Sequence, residues 1–164
     1  MNVVYCANGH YVGLFNLRPS GWQDVLRAIA EEEREDAPHR AKYCATCGAK
    51  NLTACEHCGE LLRPLTRMGG RPSYCTSCAK PLPWTEVALA SAKEYTDELT
   101  ELSAEDRETL KHSFDDLSVD TSRTPLAATR FKRILAKIAP AAGETLSKIA
   151  VEFASNAAKH LMGW

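Results

Sequence analysis

The stretch from Cys44 to Cys78 constrains this chain more than any other, because it places three Cys-x-x-Cys pairs in thirty-five residues: Cys44 with Cys47, Cys55 with Cys58, and Cys75 with Cys78. A fourth knuckle stands upstream, Cys6 with His10 in "YCANGHYV". Two donors on one tight turn supply half of a tetrahedral shell, so four such turns supply the eight donors that two zinc ions require.

The second and fourth knuckles repeat each other: Tyr43-Cys44-x-x-Cys47-Gly48-Ala49-Lys50-x-Leu52 against Tyr74-Cys75-x-x-Cys78-Ala79-Lys80-x-Leu82, aligned with one glycine skipped. Each then reads as the closing half of a repeated unit, which favours sequential ligand sets. Cys6, His10, Cys44 and Cys47 are expected to hold a first zinc, and Cys55, Cys58, Cys75 and Cys78 a second. A cross-braced arrangement, in which the first and third knuckles share a metal, is the alternative. Closed, thiolate-rich sites of four donors are structural, whereas catalytic zinc keeps an open position. Redox chemistry is disfavoured, because no βαβ pattern surrounds the Cys-x-x-Cys pairs. His57, inside "CEHC", reads as a solvated turn residue.

With 164 residues, the chain has room for one medium domain or two small ones, and the cysteines divide it. A segment of knuckles and turns buries little apolar surface, so metal supplies folding free energy that a core cannot. The expected fold is a small zinc-stabilised β domain of tandem ribbons over residues 1–83, followed by an all-α helical region over residues 84–164 that contains no cysteine. Seven cysteines used as metal donors predict a reducing compartment. The opening "MNVVYCANGH" has neither a basic nor an apolar leader region, and no run reaches the ~18 apolar residues that span a bilayer, so a cytoplasmic location is expected.

The formal net charge of −1 conceals an asymmetry: residues 1–83 carry ten Lys/Arg against eight Asp/Glu, residues 84–120 three against eleven, and residues 121–164 seven against two. The acidic middle and the basic end can neutralise each other by packing side by side, or one of them can meet a charged partner.

Residues 2–17 alternate β-branched and aromatic residues around Asn8-Gly9, which predicts a hairpin with the first half-site at its tip. Ser20 and Gln23 form a capping box for an inserted helix over about residues 20–36, with Trp22, Val25, Leu26 and Ile29 on one face. Arg63, Arg67 and Arg71 are spaced along the Gly/Pro-bearing loop between Cys58 and Cys75. After Pro81 and Pro83, with Thr85 as cap, Val87, Ser91, Tyr95, Leu99 and Leu102 mark a helix of four to five turns. Ser103 and Asp106 cap a second helix with Leu110, Phe114 and Leu117 as its stripe, and Thr124-Pro125 starts a third. From there Phe131, Leu135, Ile138, Ala142, Thr145 and Ile149 keep one face, which resumes with Phe153, Ala157 and Leu161 after one extra residue. Pro140 removes a backbone hydrogen bond and so predicts a kink or a break. Three to four helices are expected in all.

Taken together, "CANGH", "YCATCG", "CEHCG", "PSYCTSC", "PLPWTEVAL", "DDL" and "TPLAATRFK" resemble a bacterial family of small uncharacterised proteins, a domain of unknown function with an N-terminal double zinc ribbon and a C-terminal helical region. The resemblance implies zinc binding and a bacterial source. It carries no activity.

The sequence contains no Gly-rich phosphate loop, no nucleophile elbow and no metalloprotease histidine pair, so the reading leans away from an enzyme. The leading expectation is an adaptor or scaffold acting on a protein partner or through self-assembly, with Phe131, Ile138 and Phe153 as contacts of the helical tail. A second is association of the basic amphipathic tail with a membrane surface. A third is nucleic-acid binding through Arg63, Arg67 and Arg71.

Overall fold

The structure, a computed structural model, describes residues 2–15, 41–65 and 70–164. The expected helix over residues 20–36 and Arg67 lie outside them. The chain divides into two compact units, Met1–Trp84 and Thr85–Trp164.

The first unit is built on a hairpin of β1 (Asn2–Cys6) and β2 (Tyr11–Phe15), joined on the other side of β1 by the two-residue strand β3 (Asn51–Leu52). Both pairings are antiparallel, with Val3 opposite Leu14 and Tyr5 opposite both Tyr11 and Leu52. A bulge between Val4 and Tyr5 shifts the register just before the first donor, Cys6. Bulges of this kind re-aim a strand end. As the central strand, β1 is buried on both faces from Val3 to Cys6. One small core joins Val3, Tyr5, Leu52, Leu62, Leu82 and Trp84.

Trp84, expected to open the helical region, is 4% exposed in this core. Its indole Nε1 donates to the Pro72 carbonyl at 2.8 Å, and its ring lies 5.3 Å from that of Tyr5. A large ring on so small a sheet supplies apolar area that the knuckles lack.

The second unit contains five helices: α1 (Pro83–Glu98), which begins at the end of the first unit, α2 (Ala104–Ser118), α3 (Thr124–Leu135), α4 (Pro140–Phe153) and α5 (Asn156–Met162). Five replace the expected three to four because the last stripe is interrupted twice. Pro140 breaks the helix rather than kinking it. It is the first residue of α4, where its missing N–H would have had no partner. Ser155 then starts α5 by accepting from the Ala158 amide at 3.2 Å.

Each break resets the helical phase. Ile134, Leu146, Ala150, Phe153 and Ala158 are buried, whereas Thr145 and Leu161 of the expected continuous face are exposed. In α1 the buried side is likewise rotated from the expected one: Val87 is 60% exposed, while Thr85, Ala92 and Thr96 are buried; Leu99 and Leu102, just beyond the helix, are buried as expected. Alanines let a neighbouring helix approach closely, and the Thr96 hydroxyl is satisfied by the Ala92 carbonyl at 2.8 Å.

The centre of this unit is aromatic. Phe114 meets Phe131 and Phe153 edge-on at 6.0 and 5.7 Å, with Leu110, Leu117 and Ile134 around them. Ser103 caps α2 through the Asp106 amide. Thr124 does not cap α3. Its buried hydroxyl turns back to accept from the Thr121 amide and donate to the Val119 carbonyl, both at 2.9 Å. Thr85 is also not a cap, since α1 begins two residues before it.

Candidate metal centres

The knuckles share one local geometry. The amides of Cys44, Cys55 and Cys75 donate to the carbonyls of Ala49, Glu60 and Lys80, each five residues on, at 2.8 Å. A tight turn closes back from Gly48, Gly59 and Ala79 to the same three cysteines. Antiparallel bridges Tyr43–Lys50, Ala54–Leu61 and Tyr74–Pro81 complete the units. The fourth turn therefore aligns with the second without a gap. Ala79 occupies the place of Gly48, correcting the alignment that skipped a glycine, and its φ of +56° matches the +71° of Gly48.

Chain-order pairs converge. Cys6, His10, Cys44 and Cys47 form one group and Cys55, Cys58, Cys75 and Cys78 another, with the donor atoms of each group within 4.8 Å of one another. In the second group Cys55 and Cys78 sulfurs are 3.8 Å apart and those of Cys58 and Cys75 3.6 Å. Sulfurs at the corners of a tetrahedron with ~2.3 Å metal bonds stand about 3.8 Å apart, so this spacing fits a single central ion. In the first group the Cys6 and Cys47 sulfurs are 3.7 Å apart, and His10 Nδ1 lies 3.2 Å from Cys47 Sγ and 3.9 Å from Cys44 Sγ. A tetrahedral N–S edge of about 3.6 Å falls between these values. Nδ1 is thus the His10 ring nitrogen that faces the sulfurs of its group. His57 is exposed and belongs to neither group.

The shells are polarised by hydrogen bonds that the spacing of cysteines does not reveal. The His10 amide donates to Cys6 Sγ at 3.3 Å, the Asn8 side-chain amide to Cys47 Sγ at 3.6 Å, and the Ser77 amide to Cys75 Sγ at 3.4 Å. The turn amides favour thiolate: Cys44 is lowered to about 6, mainly by the Thr46 amide, and Cys75 to about 7, mainly by that of Cys78. Cys58 goes the other way. The Glu60 amide lowers it, but burial and the sulfurs of Cys78, Cys75 and Cys55 together outweigh that bond and push it up to about 12. His10 is raised by Cys47 and then Cys44. Three or four thiolates this close repel one another, and a cation seated among them would favour every thiolate at once. Both groups can hold a metal ion.

The profile of a family described as "Uncharacterized protein conserved in bacteria (DUF2321)" matches residues 26–162. The chain belongs to that family. The match covers the second to fourth knuckles and the helical unit, while Cys6 and His10 precede it. No curated protein and no solved structure matches the chain.

The other expected site residues fall differently. Phe131 and Phe153 are fully buried and Ile138 nearly so, all in the helical core, where they pack against other helices of the same unit. They are not surface contacts. Arg63 is exposed and pairs with Glu60 at 3.2 Å. Arg71 is not displayed on a projecting loop: its guanidinium lies over the Trp84 ring, 5.8 Å from the centroid. Trp84 and Tyr5, whose hydroxyl donates to the Gly70 carbonyl at 2.8 Å, were missing from the expected site set. The tryptophan directly after Pro81-x-Pro83 was their one sequence signal.

Proposed function

We propose that this chain is a zinc-organised binding module, in which two structural zinc ions build the N-terminal unit and the protein acts through its surfaces. The observation that carries the reading is the pair of donor sets, Cys₃His and Cys₄, each with four donor atoms within 4.8 Å of one another. Thiolate-rich tetrahedral sites select zinc among the common divalent ions, and a complete protein shell leaves no exchangeable position for substrate. When bound, the ions supply folding free energy and cross-link segments that are far apart in sequence.

A protein partner fits best. The outer strand β2 presents Tyr11 and Leu14, 60% and 40% exposed, and Tyr43 on the second knuckle is 66% exposed. Aromatic and aliphatic side chains on an outer strand suit docking of another chain. The membrane alternative loses its apolar stripe, because Phe131, Ile138 and Phe153 are consumed by the helical core. Nucleic-acid binding loses Arg71 to Trp84 and Arg63 to Glu60.

Metal analysis of the chain purified without added metal is expected to give two zinc ions per chain. One ion, or iron in place of zinc, would overturn the metal assignment. For the surface, Tyr11→Asp/Leu14→Asp should retain both ions and lose the proteins that co-purify with the wild type. If the variant instead loses binding to anionic liposomes or to nucleic acid, the protein-partner reading is wrong.

A further inference from the structure

One core contains donors of the second set and adjoins the first. Cys55 and Cys75 are part of the cluster formed by Tyr5 and Trp84, and Cys78 and Ala7 pack against it. Tyr5 and Ala7 are the chain neighbours of Cys6, so the core that holds Cys55 and Cys75 is tied to the first set through the backbone on either side of that donor. Tyr5 and Trp84 also hold the segment that leads into Cys75, by hydrogen bonds to the Gly70 and Pro72 carbonyls. Between these carbonyls, Arg71 runs from the Trp84 ring to the turn of the first knuckle. Its side chain fills the space beside Gly9, where a Cβ would collide with it. Gly9 has φ +79°, donates to the Cys6 carbonyl at 2.7 Å and immediately precedes His10.

We propose that the two metal sites load cooperatively, with the Tyr5–Trp84 core and the Arg71–Gly9 contact as the coupling element. The proposal rests on the metal-binding reading above. A unit with so little apolar area is ordered largely by its ions, so the first ion to bind bears the cost of ordering the shared core. The second ion finds that core already formed and binds more tightly. By linkage, each site strengthens the other by the same factor.

Cobalt(II) titration of the metal-free, reduced full-length chain tests this. At one equivalent of cobalt, native mass spectrometry should find chains carrying none or two ions, with one-ion chains in the minority; a majority of one-ion chains would overturn cooperative loading. Cys58→Ser/Cys78→Ser, which removes the second site, should weaken cobalt binding at the Cys₃His site by roughly tenfold or more, read from that site's own ligand-field spectrum. Cys44→Ser/Cys47→Ser should weaken the second site by the same factor. Unchanged affinities would sink the coupling. Arg71→Ala alters no donor, so it should keep two ions per chain while reducing the coupling factor; an unchanged factor would remove Arg71 from the coupling element. A wild-type chain that binds neither cobalt nor zinc discards the metal reading and the coupling together, whereas two ions that bind independently discard the coupling alone.

Discussion

Ala79 has φ +56° at the position filled by Gly48 and Gly59 in the neighbouring knuckles. An L-residue there crowds its own Cβ against the backbone, at a cost of roughly 1–2 kcal/mol, part of which glycine gives back through its more flexible unfolded chain. Ala79→Gly is therefore expected to stabilise the N-terminal unit by about 0.5 kcal/mol, and Gly48→Ala to destabilise it by about 1 kcal/mol. Among the described residues, chain neighbours aside, no atom stands within 4 Å of a Cβ at Gly48, so that cost would be conformational. Denaturant midpoints of the zinc-loaded proteins would measure both, and a loss of stability in Ala79→Gly would contradict the argument. A second residue-scale effect concerns Asp106, whose carboxylate pairs with Lys137 at 2.7 Å and is held below its ordinary 3.8, chiefly by that hydrogen bond. A depressed carboxylate contributes stability at pH values above 3.8, and this contribution is lost as the pH falls through the lower folded value. Asp106→Asn should accordingly flatten the acid limb of the helical unit's stability curve. An unchanged limb would show that the pair is fully screened.

At the scale of elements, the helices owe their ends to local chemistry and their faces to packing. Ser103→Ala removes the bond to the Asp106 amide and should cost about 1 kcal/mol. Phe114→Ala empties the meeting point of α2 with α3 and α4 and should cost about 3–5 kcal/mol, because the rings of Phe131 and Phe153 lose their shared edge contact. Thermal melts followed by helical circular dichroism would rank the two, and similar losses would mean that the core relaxes into the cavity. Charge also acts between elements: Lys93 pairs with Asp115, Lys111 with Asp97, Arg123 with Asp116 and Lys137 with Asp106. Two of these join the acidic middle of the chain to its basic end, so part of the asymmetry in the sequence is neutralised within the unit. All are partly exposed and contribute little individually.

For the molecule as a whole, the units Met1–Trp84 and Thr85–Trp164 have separate cores and depend on different forces. The first combines eight candidate metal donors with one small apolar cluster; the second contains the three-phenylalanine core and no cysteine. A strong chelator, or Cys47→Ser, is expected to unfold the first unit and leave most of the helical circular dichroism intact. Collapse of the helical signal would show that the second unit needs the first in order to fold. Lowering the pH should mimic the chelator, since protons compete with metal for the thiolates. Among the described residues no helix is long and apolar enough to cross a membrane.

The grouping of the eight candidate donors was legible in the sequence because a knuckle is a local object: two such residues and their turn lie within five residues, and the repeat around Cys44 and Cys75 indicated which knuckles close a unit. The Ser103 cap and the Leu110, Phe114, Leu117 stripe were legible for the same reason, being set by neighbours three or four residues apart. Positions decided by distant contacts were not. The stripe from Phe131 to Leu161 matched a continuous face on paper, but once Pro140 and Ser155 restart the helix, only packing against Phe114 and Leu117 selects the sides that turn inward. Phe131, Ile138 and Phe153 looked like contacts for a partner because an apolar side chain carries no label for whether its neighbour belongs to the same chain. Arg71 and Trp84, read as a loop charge and a helix start, came together beside the candidate donors only when folding brought Gly9 to Arg71 and Tyr5 and Pro72 to Trp84. Chain-local geometry and ligand chemistry are encoded residue by residue, whereas burial is a property of surfaces that meet only in three dimensions.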